Sequence, residues 1–290
     1  MSATGLERLD VDPKQLLLQG LEMRWENYSN ELKNCRNEFT EDSVHDLRVA
    51  TRRMLALIQL LKSISPQPRQ KKIARAFKDQ LDEFDDLRDT QVILGELSEI
   101  LHEIPELEEF EKYLLSYEEQ MLQDLRTRLK ERKTSDIEKW IYKTQENVET
   151  WEMNDLKPLV LDAVDDAFLS VKQRLGWVDL ARSSTIHRVR VVFKAFRYMV
   201  ELIHPLLPVF PSGALKQMNE YQTVMGNIQD TEVFAQALSE FTKDTPFPDL
   251  ETVHRYYERR RSQAITAFAS GMDQLHSFWR PAPDQPFPWE

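Results

Sequence analysis

The sequence has little glycine, a single cysteine and no long apolar run. Its 290 residues include 7 glycines and one cysteine, Cys35, so an internal disulfide is excluded. No segment approaches the roughly 18 consecutive apolar residues of a membrane span. The first residues, MSATGLERLDVDPK, lack the apolar stretch of a signal peptide. We therefore expect a cytoplasmic protein that does not cross a membrane.

The residues that dominate the sequence are those of long helices. Leu, Glu, Gln, Arg, Lys and Ala fill the segments between the prolines, and we expect an all-α protein. Asp12 before Pro13 is typical of a helix start. From caps, prolines and apolar periodicity, we predict helices at about 13–35, 40–64, 67–86, 89–102, 106–133, 135–151, 159–175, 184–203, 212–227, 230–243 and 250–278.

Charge is strongly segregated along the chain. The formal net charge is -11, which by itself disfavours a polyanionic ligand. Residues 45–78, however, contain nine Lys and Arg against the single acid Asp46, whereas the charged residues of the segment 79–124 are mostly acidic. The sequence therefore predicts separate basic and acidic surfaces. A protein partner for the acidic surface at 79–124 is one reading of that segment, and it is compatible with polyanion binding elsewhere.

An internal repeat links the two parts of the chain. The segment HDLRVATRRM, which begins at His45, reappears without a gap as HRVRVVFKAF, which begins at His187. Further on, LRDTQV around Asp89 aligns with IQDTEV around Asp230 after a one-residue change in spacing. Similarity over such a length indicates duplication of a whole helical unit.

The repeat predicts the domain organisation. We expect two pseudo-symmetric four-helix bundles, a first half at 1–151 and a second half at 152–279. The Pro-rich segment 280–290 is predicted to be a flexible tail.

Helical phase places the repeated cations on one face in each copy. At about 100° per residue, His45, Arg48 and Arg52 share one sector of the helix, and apolar residues occupy the opposite side. The second copy has the same phase. Its cationic sector contains His187, Arg190, Lys194 and Arg197. Because few acids intervene, these cations repel one another unless an anion lies nearby, and phosphate suits guanidinium and ammonium donors.

Other helices carry further candidate cations. We call the two cationic sectors, which begin at His45 and at His187, the stripes. If the stripes face each other across a pseudo-dyad, the further cations are expected to extend one positive groove that suits a linear polyanion. The additional candidates are Lys71, Lys72, Arg75, Lys78, Lys216, Arg255, Arg259 and Arg260.

The paired His-x-x-Arg-x-x-x-Arg/Lys segments, followed by Arg-Asp-Thr-x-Val and Gly-Asn-Ile-Gln-Asp-Thr-x-Val, resemble the CHAD family, the conserved histidine α-helical domain. The resemblance extends over residues 13–278. It implies a central basic surface that binds inorganic polyphosphate and can direct proteins to polyphosphate granules. The positions that match the family's basic motif are His45, Arg48, Arg52, Arg53, His187, Arg190, Lys194 and Arg197.

Two acids also match the family pattern. Asp89 and Asp230 stand at its acidic position, where they either cap a helix N-terminus or orient the cations. The chain lacks the Glu-x-Glu-x-Lys strand of the triphosphate-tunnel catalytic domain that often precedes this family's domain. We therefore expect a stand-alone domain that needs no cofactor and whose ligand is polyphosphate, or phosphate or sulfate ions.

Three other functions compete with polyphosphate binding. A metal site at His45 and His187 is disfavoured by the neighbouring cations and by the lack of a second ligand at i+4. A phosphoryl-handling enzyme would need a glycine loop or a magnesium-binding Asp cluster, and neither is visible, so we expect no catalysis. Nucleic-acid binding ranks below polyphosphate, because aromatic residues for base stacking are missing from the stripes apart from Tyr198 at the edge.

Overall fold

The computed structural model describes residues 11–152, 156–207, 209–244 and 250–290, and within these ranges it contains ten α-helices and no β-strand. The helices are α1 (Pro13–Glu38), α2 (Glu41–Ile64), α3 (Pro68–Glu83), α4 (Asp85–Ile100), α5 (Glu108–Glu131), α6 (Ser135–Glu149), α7 (Leu156–Leu175), α8 (Ser183–Ile203), α9 (Ala214–Asp244) and α10 (Leu250–Gly271). Short 3-10 helices lie at Pro105–Leu107, His204–Leu206 and Met272–Ser277. The predicted all-α fold is confirmed, and none of the described helices is long and apolar enough to cross a membrane.

Local capping fixes the entry into the first two helices. The side chain of Asp12 accepts a hydrogen bond from the backbone N–H of Lys14 at 2.8 Å, and Pro13 takes the first helical position. At α2, Thr40 and Ser43 each accept a backbone N–H of the other, at 2.9 and 3.2 Å. Such reciprocal capping satisfies N–H groups that a helix start otherwise leaves without partners.

Two predicted helix starts differ from the structure. α4 begins at Asp85, directly after Phe84, and α9 runs without a break from Ala214 to Asp244. Asp89 and Asp230 therefore lie inside helices, and the N-cap interpretation of both residues is wrong. The predicted interruption of α9 does not occur because its apolar face continues across that region through buried Met225 and Ile228.

The hydrophobic core does not separate at residue 151. The larger of two clusters of buried side chains combines residues such as Leu57 of α2 with Phe168 of α7 and Phe196 of α8, and α2 packs directly on α8. The division into halves at 151 and the underlying duplication stay predictions. What the structure shows is one core built from both sides of that position.

A second, smaller cluster joins α4 and α5 to α9 and α10. At its centre the rings of Phe110 and Phe234 meet edge to face with centroids 5.5 Å apart, and Phe234 stacks on Tyr257. Aromatic contacts of this kind stabilise the packing beyond the area that they bury. They hold α4 beside α9, and these are the helices that carry Asp89 and Asp230.

The end of the chain is packed, whereas the sequence predicts a flexible tail at 280–290. Arg280 bonds both carboxylate oxygens of Asp165 on α7, at 3.0 and 2.6 Å. Phe287 is buried between Trp279 and Trp289, with centroid distances of 5.0 and 4.9 Å. The difference has a physical cause. The prolines that disfavour a helix here do not prevent aromatic side chains from burying apolar area against the core.

Candidate functional site

The two predicted stripes lie on α2 and α8, which pack against each other. The apolar side of each helix is buried, as the periodicity predicts. The buried residues include Leu47, Ala50, Met54, Leu57 and Leu61 of α2, and Val189, Phe196, Val200 and Ile203 of α8. With these faces turned into the core, the cations of both helices are placed along the seam where α2 and α8 meet.

Four cations that form no salt bridge with any described residue meet at this seam, and we call them the central cluster: Arg52 of α2 and Arg190, Lys194 and Arg197 of α8. All four are half-buried. Burial lowers the pKa of Arg52 to about 10, and the positive charges of Arg48 and Arg190 act in the same direction. In the described part of the chain none of the four forms a salt bridge. Arg197 donates to the neutral Oε1 of Gln222 at 3.1 Å.

Lys194 lies at the electrostatic centre of this cluster. Burial, followed by the charges of Arg52, Arg190, Arg48 and Arg197, lowers its pKa to about 6. Its ammonium forms no hydrogen bond or salt bridge with any residue within the described ranges. Without a ligand, most Lys194 side chains are therefore neutral amines at pH 7. An anion bound here would restore the charge.

Arg48 differs from the central cluster because its guanidinium group already has partners within the protein. Its side chain is almost fully buried. Nη1 donates to the carbonyl oxygen of Leu81 at 2.9 Å, and Nη2 forms a salt bridge to Oδ1 of Asp85 at 2.6 Å. Both terminal nitrogens already have partners, so Arg48 holds α2 against the junction of α3 and α4. It adds positive electrostatic potential to the seam, but its two terminal nitrogens are not free to bind a phosphate together.

Asp89 and Asp230 lie within electrostatic reach of the cations. Desolvation where α4 meets α9 raises the pKa of Asp89 to about 6, and the charge of Asp85 adds to the effect. Burial also raises the pKa of Asp230, and Arg190 opposes that shift. Both carboxylates act in turn on Arg190, where they oppose the lowering of its pKa by burial. This arrangement favours the interpretation that the two acids orient Arg190.

The two histidines lie at the start of each stripe. His45 is exposed, and its pKa is lowered by desolvation and then by the charge of Arg88. Burial and Arg190 lower the pKa of His187, while a hydrogen bond that the protonated ring donates to Gln229 opposes the shift. Both imidazoles are therefore mainly neutral at pH 7. The described residues contain no group of three or more His, Cys, Asp or Glu side chains that could hold a metal ion.

Arg53 differs from the central cluster because it pairs with an acid. Its Nε lies 2.8 Å from Oε1 of Glu201. The ring of Tyr198 lies between cations, with the guanidinium carbon of Arg197 at 4.4 Å from the ring centroid and that of Arg53 at 5.9 Å. Tyr198 itself is buried. The ring thus supports two arginines and is not presented to a ligand.

Sequence reasoning missed Arg24 of α1. Its Nη1 donates to the carbonyl oxygen of Arg53 at 2.7 Å and its Nη2 to that of Tyr198 at 3.3 Å, so one side chain fastens α1 to both α2 and α8. Burial lowers its pKa to about 10. The signal was present in the sequence, because Arg24 lies on the helical stripe of α1 that contains the buried Leu21 and Tyr28. A cation on an apolar stripe indicates a buried polar contact.

The predicted α3 cations are not brought to the seam. All four are exposed, on the side of α3 that faces away from its buried residues Ile73 and Phe77. No interaction joins them to the central cluster within the described ranges, and two have other neighbours. The ammonium of Lys72 lies 5.6 Å from the ring centroid of Trp140 and Arg75 lies 3.8 Å from Asp79; Lys71 and Lys78 complete the set.

The peripheral cations of the second half mostly have acidic neighbours. Arg260 of α10 forms a salt bridge with Glu96 of α4, which connects the two predicted halves. The other contacts are Lys216 with Glu220 at 3.8 Å, Arg255 with Glu251 at 2.8 Å, and Arg259 over the ring of Tyr256 at 5.8 Å. Because most of these cations are partly neutralised by their neighbours, they attract an anion less strongly than the central cluster does.

The chain is similar to a known family of proteins. The family model of the CHAD domain matches residues 24–239, a range that includes α2, α8 and all four residues of the central cluster. A crystal structure of the CHAD domain from the plant Ricinus communis superposes with a TM-score of 0.64 at 18% identity, covering 96% of this chain and 93% of that chain. At that identity the likeness concerns the fold. No curated protein matches the chain.

Proposed function

This chain belongs to the CHAD family, and from that premise we propose that it binds inorganic polyphosphate at the central cluster without catalysing its turnover. One observation carries the proposal. Arg52, Arg190, Lys194 and Arg197 converge from two helices, half-buried, with no acid in salt-bridge contact anywhere in the described structure. Cations held together in this way destabilise the protein unless an anion lies among them.

The chemistry of the cluster suits phosphate. Guanidinium forks donate pairs of hydrogen bonds to phosphate oxygens, and the ammonium of Lys194 adds a compact charge. The low dielectric of a half-buried seam strengthens each contact. Phosphate bound beside Lys194 would raise the pKa of its amine and so turn a neutral group into a further cationic donor.

The length of the seam favours a chain over a single ion. From His187 to Arg197 the helix advances roughly 15 Å at its usual rise per residue. Donors are distributed along that length and come from α2 as well as α8. A linear polyanion can engage them together, and this gives it an advantage of effective concentration over separate phosphate ions.

Nucleic acid is a weaker candidate for the same surface. Single-stranded nucleic acids gain much of their affinity from bases stacked on exposed aromatic rings. The aromatic residue at the seam is Tyr198, which is 5% exposed and lies between Arg53 and Arg197. The cations of the seam could therefore bind a sugar-phosphate backbone, but the ring of Tyr198 is not exposed for base stacking.

The proposal is tested by titration with polyphosphates of defined length, beside tripolyphosphate and single-stranded RNA. We expect affinity that grows with chain length and falls as salt is raised. The double variant Arg52→Gln/Arg190→Gln should bind more weakly, whereas Arg255→Gln, outside the cluster, should bind as the unaltered protein does. Equal affinities for all three proteins would refute the site, and magnesium-dependent phosphate release from polyphosphate would refute binding without turnover.

We also propose that this binding directs the protein to polyphosphate granules in the cytoplasm. The test compares a fluorescent fusion of the unaltered chain with one that carries Arg52→Gln/Arg190→Gln. Granule association of the first fusion and diffuse signal of the second support the idea. Equal distributions of the two fusions contradict it.

A further inference from the structure

The turn between α7 and α8, residues 176–182, exposes two large apolar side chains at its tip. Trp177 is 72% exposed and Leu180 is 40% exposed. The small residues Gly176 and Ala181 beside them are exposed as well. Exposed apolar patches of this kind mark surfaces that contact a partner or a membrane. The polyphosphate site proposed above makes no use of this patch.

Hydrogen bonds around Asp179 hold the turn in an ordered conformation. Its carboxylate accepts from the backbone N–H of Ala181 at 3.0 Å and from Nε of Arg182 at 2.7 Å. Its own backbone N–H donates at 3.0 Å to Oγ1 of Thr185, in the first turn of α8. On the inner side, Val178 packs against the hydrophobic core. The apolar tip is therefore already ordered, and a partner loses little affinity to its ordering.

The charges near the tip are mainly positive. Residues 174–188 contain the arginines Arg174, Arg182 and Arg188 and the single acid Asp179. Asp179 is paired with Arg182. The other two arginines form no salt bridge with any residue that the structure describes. The preceding acid in the sequence, Asp166, lies roughly 13 Å from the end of α7 at the usual helical rise, which exceeds the Debye length of about 8 Å in physiological salt.

Apolar side chains at a projecting tip, with cations behind them, match the surface of a bilayer that contains anionic lipids. Tryptophan prefers the headgroup level, where its ring is buried and its N–H stays hydrated. Leucine adds apolar area whose burial is favourable, and arginines attract lipid phosphates. We propose that the α7–α8 turn docks the protein on anionic membrane surfaces, with Trp177 and Leu180 inserted at the headgroup level. Such docking needs no membrane-spanning helix.

The shape of this region favours a bilayer over a nucleic acid as the partner. Single-stranded nucleic acids are held in grooves whose cations follow the sugar-phosphate backbone. Here Arg174 and Arg188 lie on the two helices behind a projecting tip, and the aliphatic Leu180 has no role in base stacking. The net charge of -11 also opposes adsorption of the protein as a whole to an anionic surface. Attachment then depends on this turn.

The test measures co-sedimentation of the full-length protein with vesicles at physiological salt. One vesicle contains phosphatidylcholine alone, and the other contains equal parts of phosphatidylcholine and phosphatidylglycerol. We expect binding to the mixed vesicles that is about tenfold tighter or more than binding to phosphatidylcholine, because the arginines add attraction only to the anionic surface. Equal affinities for the two vesicles would overturn the assignment of an anionic surface.

Substitutions at the tip test its role against a matched control. Trp177→Ser/Leu180→Ser should weaken binding to the mixed vesicles by about tenfold or more, since both inserted side chains lose their apolar area. Tyr142→Ser alters an aromatic residue of α6 that is 61% exposed, and it should bind as the unaltered protein does. Arg174→Gln/Arg188→Gln should weaken binding to the mixed vesicles several-fold. Unchanged vesicle binding by the tip variant overturns the inference.

The central cluster also attracts lipid phosphates, so its contribution is measured separately. Arg52→Gln/Arg190→Gln should keep vesicle binding, and Trp177→Ser/Leu180→Ser should keep polyphosphate affinity, because the two proposals concern different surfaces. Vesicle binding that is lost in the first variant and kept in the second would assign it to the central cluster and overturn the inference. A tip variant that loses affinity for single-stranded RNA but not for vesicles would identify a base-stacking site instead, and the bilayer assignment would be wrong.

Brominated phospholipids show directly whether Trp177 enters the bilayer. Bromine quenches tryptophan fluorescence at short range, so binding to brominated mixed vesicles should quench the emission of the unaltered protein. Trp177→Phe keeps an aromatic side chain and should still bind, but it should lose that quenching because the remaining tryptophans are distant from the tip in the sequence. Equal quenching in the two proteins would contradict insertion of Trp177.

Discussion

Arg52 of α2 acts on Lys194 of α8 more strongly than any other charge does, and neither side chain forms a salt bridge within the described part of the chain. Two cations from separate helices are thus held together although each is partly desolvated. Folding alone does not favour such an arrangement. It is consistent with a site whose charge balance is completed by a ligand, and it identifies the residues whose alteration is most informative.

The first prediction concerns where the binding energy comes from. Arg190→Gln/Lys194→Gln and Lys71→Gln/Lys78→Gln each remove two potential positive charges. We expect the first pair to weaken polyphosphate binding by about 10- to 100-fold, as for the loss of charge-assisted hydrogen bonds in a partly buried site. The α3 pair should weaken it by about twofold, because exposed charges are screened. Isothermal titration calorimetry at constant salt measures both, and a larger loss for the α3 pair would place the site on α3.

The density of cations in the first half of the sequence predicts that the stronger phosphate contacts lie there, and the first prediction reverses this expectation. The first half carries the denser cationic sequence, but Arg48 is bonded to Leu81 and Asp85, and Arg53 to Glu201. Three of the four residues in the central cluster come instead from α8. Density of charge along a sequence does not show which charges are already neutralised, because their partners are remote in the chain.

Helical phase was sufficient to predict the stripes. A cation three or four residues from the next cation stays on one face, and a duplicated apolar pattern from Leu47 and from Val189 turns that face to the same seam. The capped starts of α1 and α2 were likewise local and predictable. Local sequence determines which way a side chain points from its helix.

The tertiary partners of the charged side chains could not be predicted from helical phase. The salt bridge between Arg260 and Glu96 joins residues 164 positions apart, and only packing of α10 beside α4 brings them together. The uninterrupted α9 also depends on the core, since Met225 and Ile228 are buried on either side of Gly226, whose helix propensity is weak. Tertiary packing therefore determines whether a helix continues where helix propensity is weak.

The second prediction contrasts two cations that differ in their partners. Lys194→Met should raise the melting temperature by about 2 to 4 °C, since it replaces a desolvated amine that has no hydrogen bond by an apolar side chain of similar shape. Arg48→Met should lower the melting temperature, because it leaves the carbonyl oxygen of Leu81 and the carboxylate of Asp85 without their donor. Calorimetry without phosphate in the buffer measures both. A fall in both variants would show that Lys194 stabilises the fold.

The third prediction is the pH dependence of binding. Lys194, His45 and His187 have lowered pKa values in the free protein, and a bound polyanion should raise all three. The same anion would further raise the pKa of Asp89, already about 6. Binding then takes up protons, so affinity should fall by about tenfold or more between pH 6 and pH 8.

A conservative variant isolates the contribution of Lys194 to this effect. Arg keeps its charge across the whole range, so Lys194→Arg should bind polyphosphate with a flatter pH profile. Calorimetry in buffers of different ionisation enthalpy counts the protons taken up, and the count at pH 7.5 should be lower for the variant. An unchanged count would assign the pH dependence to the histidines and carboxylates alone.

The last prediction uses the close approach of Arg190 to α9. A Cβ added at Gly226 would lie 3.5 Å from both Nε and Nη2 of Arg190, which is ordinary contact. Gly226→Ala should therefore keep polyphosphate affinity and stabilise the helix by up to about 1 kcal/mol. Gly226→Leu extends beyond that contact and should displace the guanidinium, with a loss of affinity of about fivefold or more. If Gly226→Leu binds as tightly as Gly226→Ala, the position of Arg190 against α9 does not matter for binding.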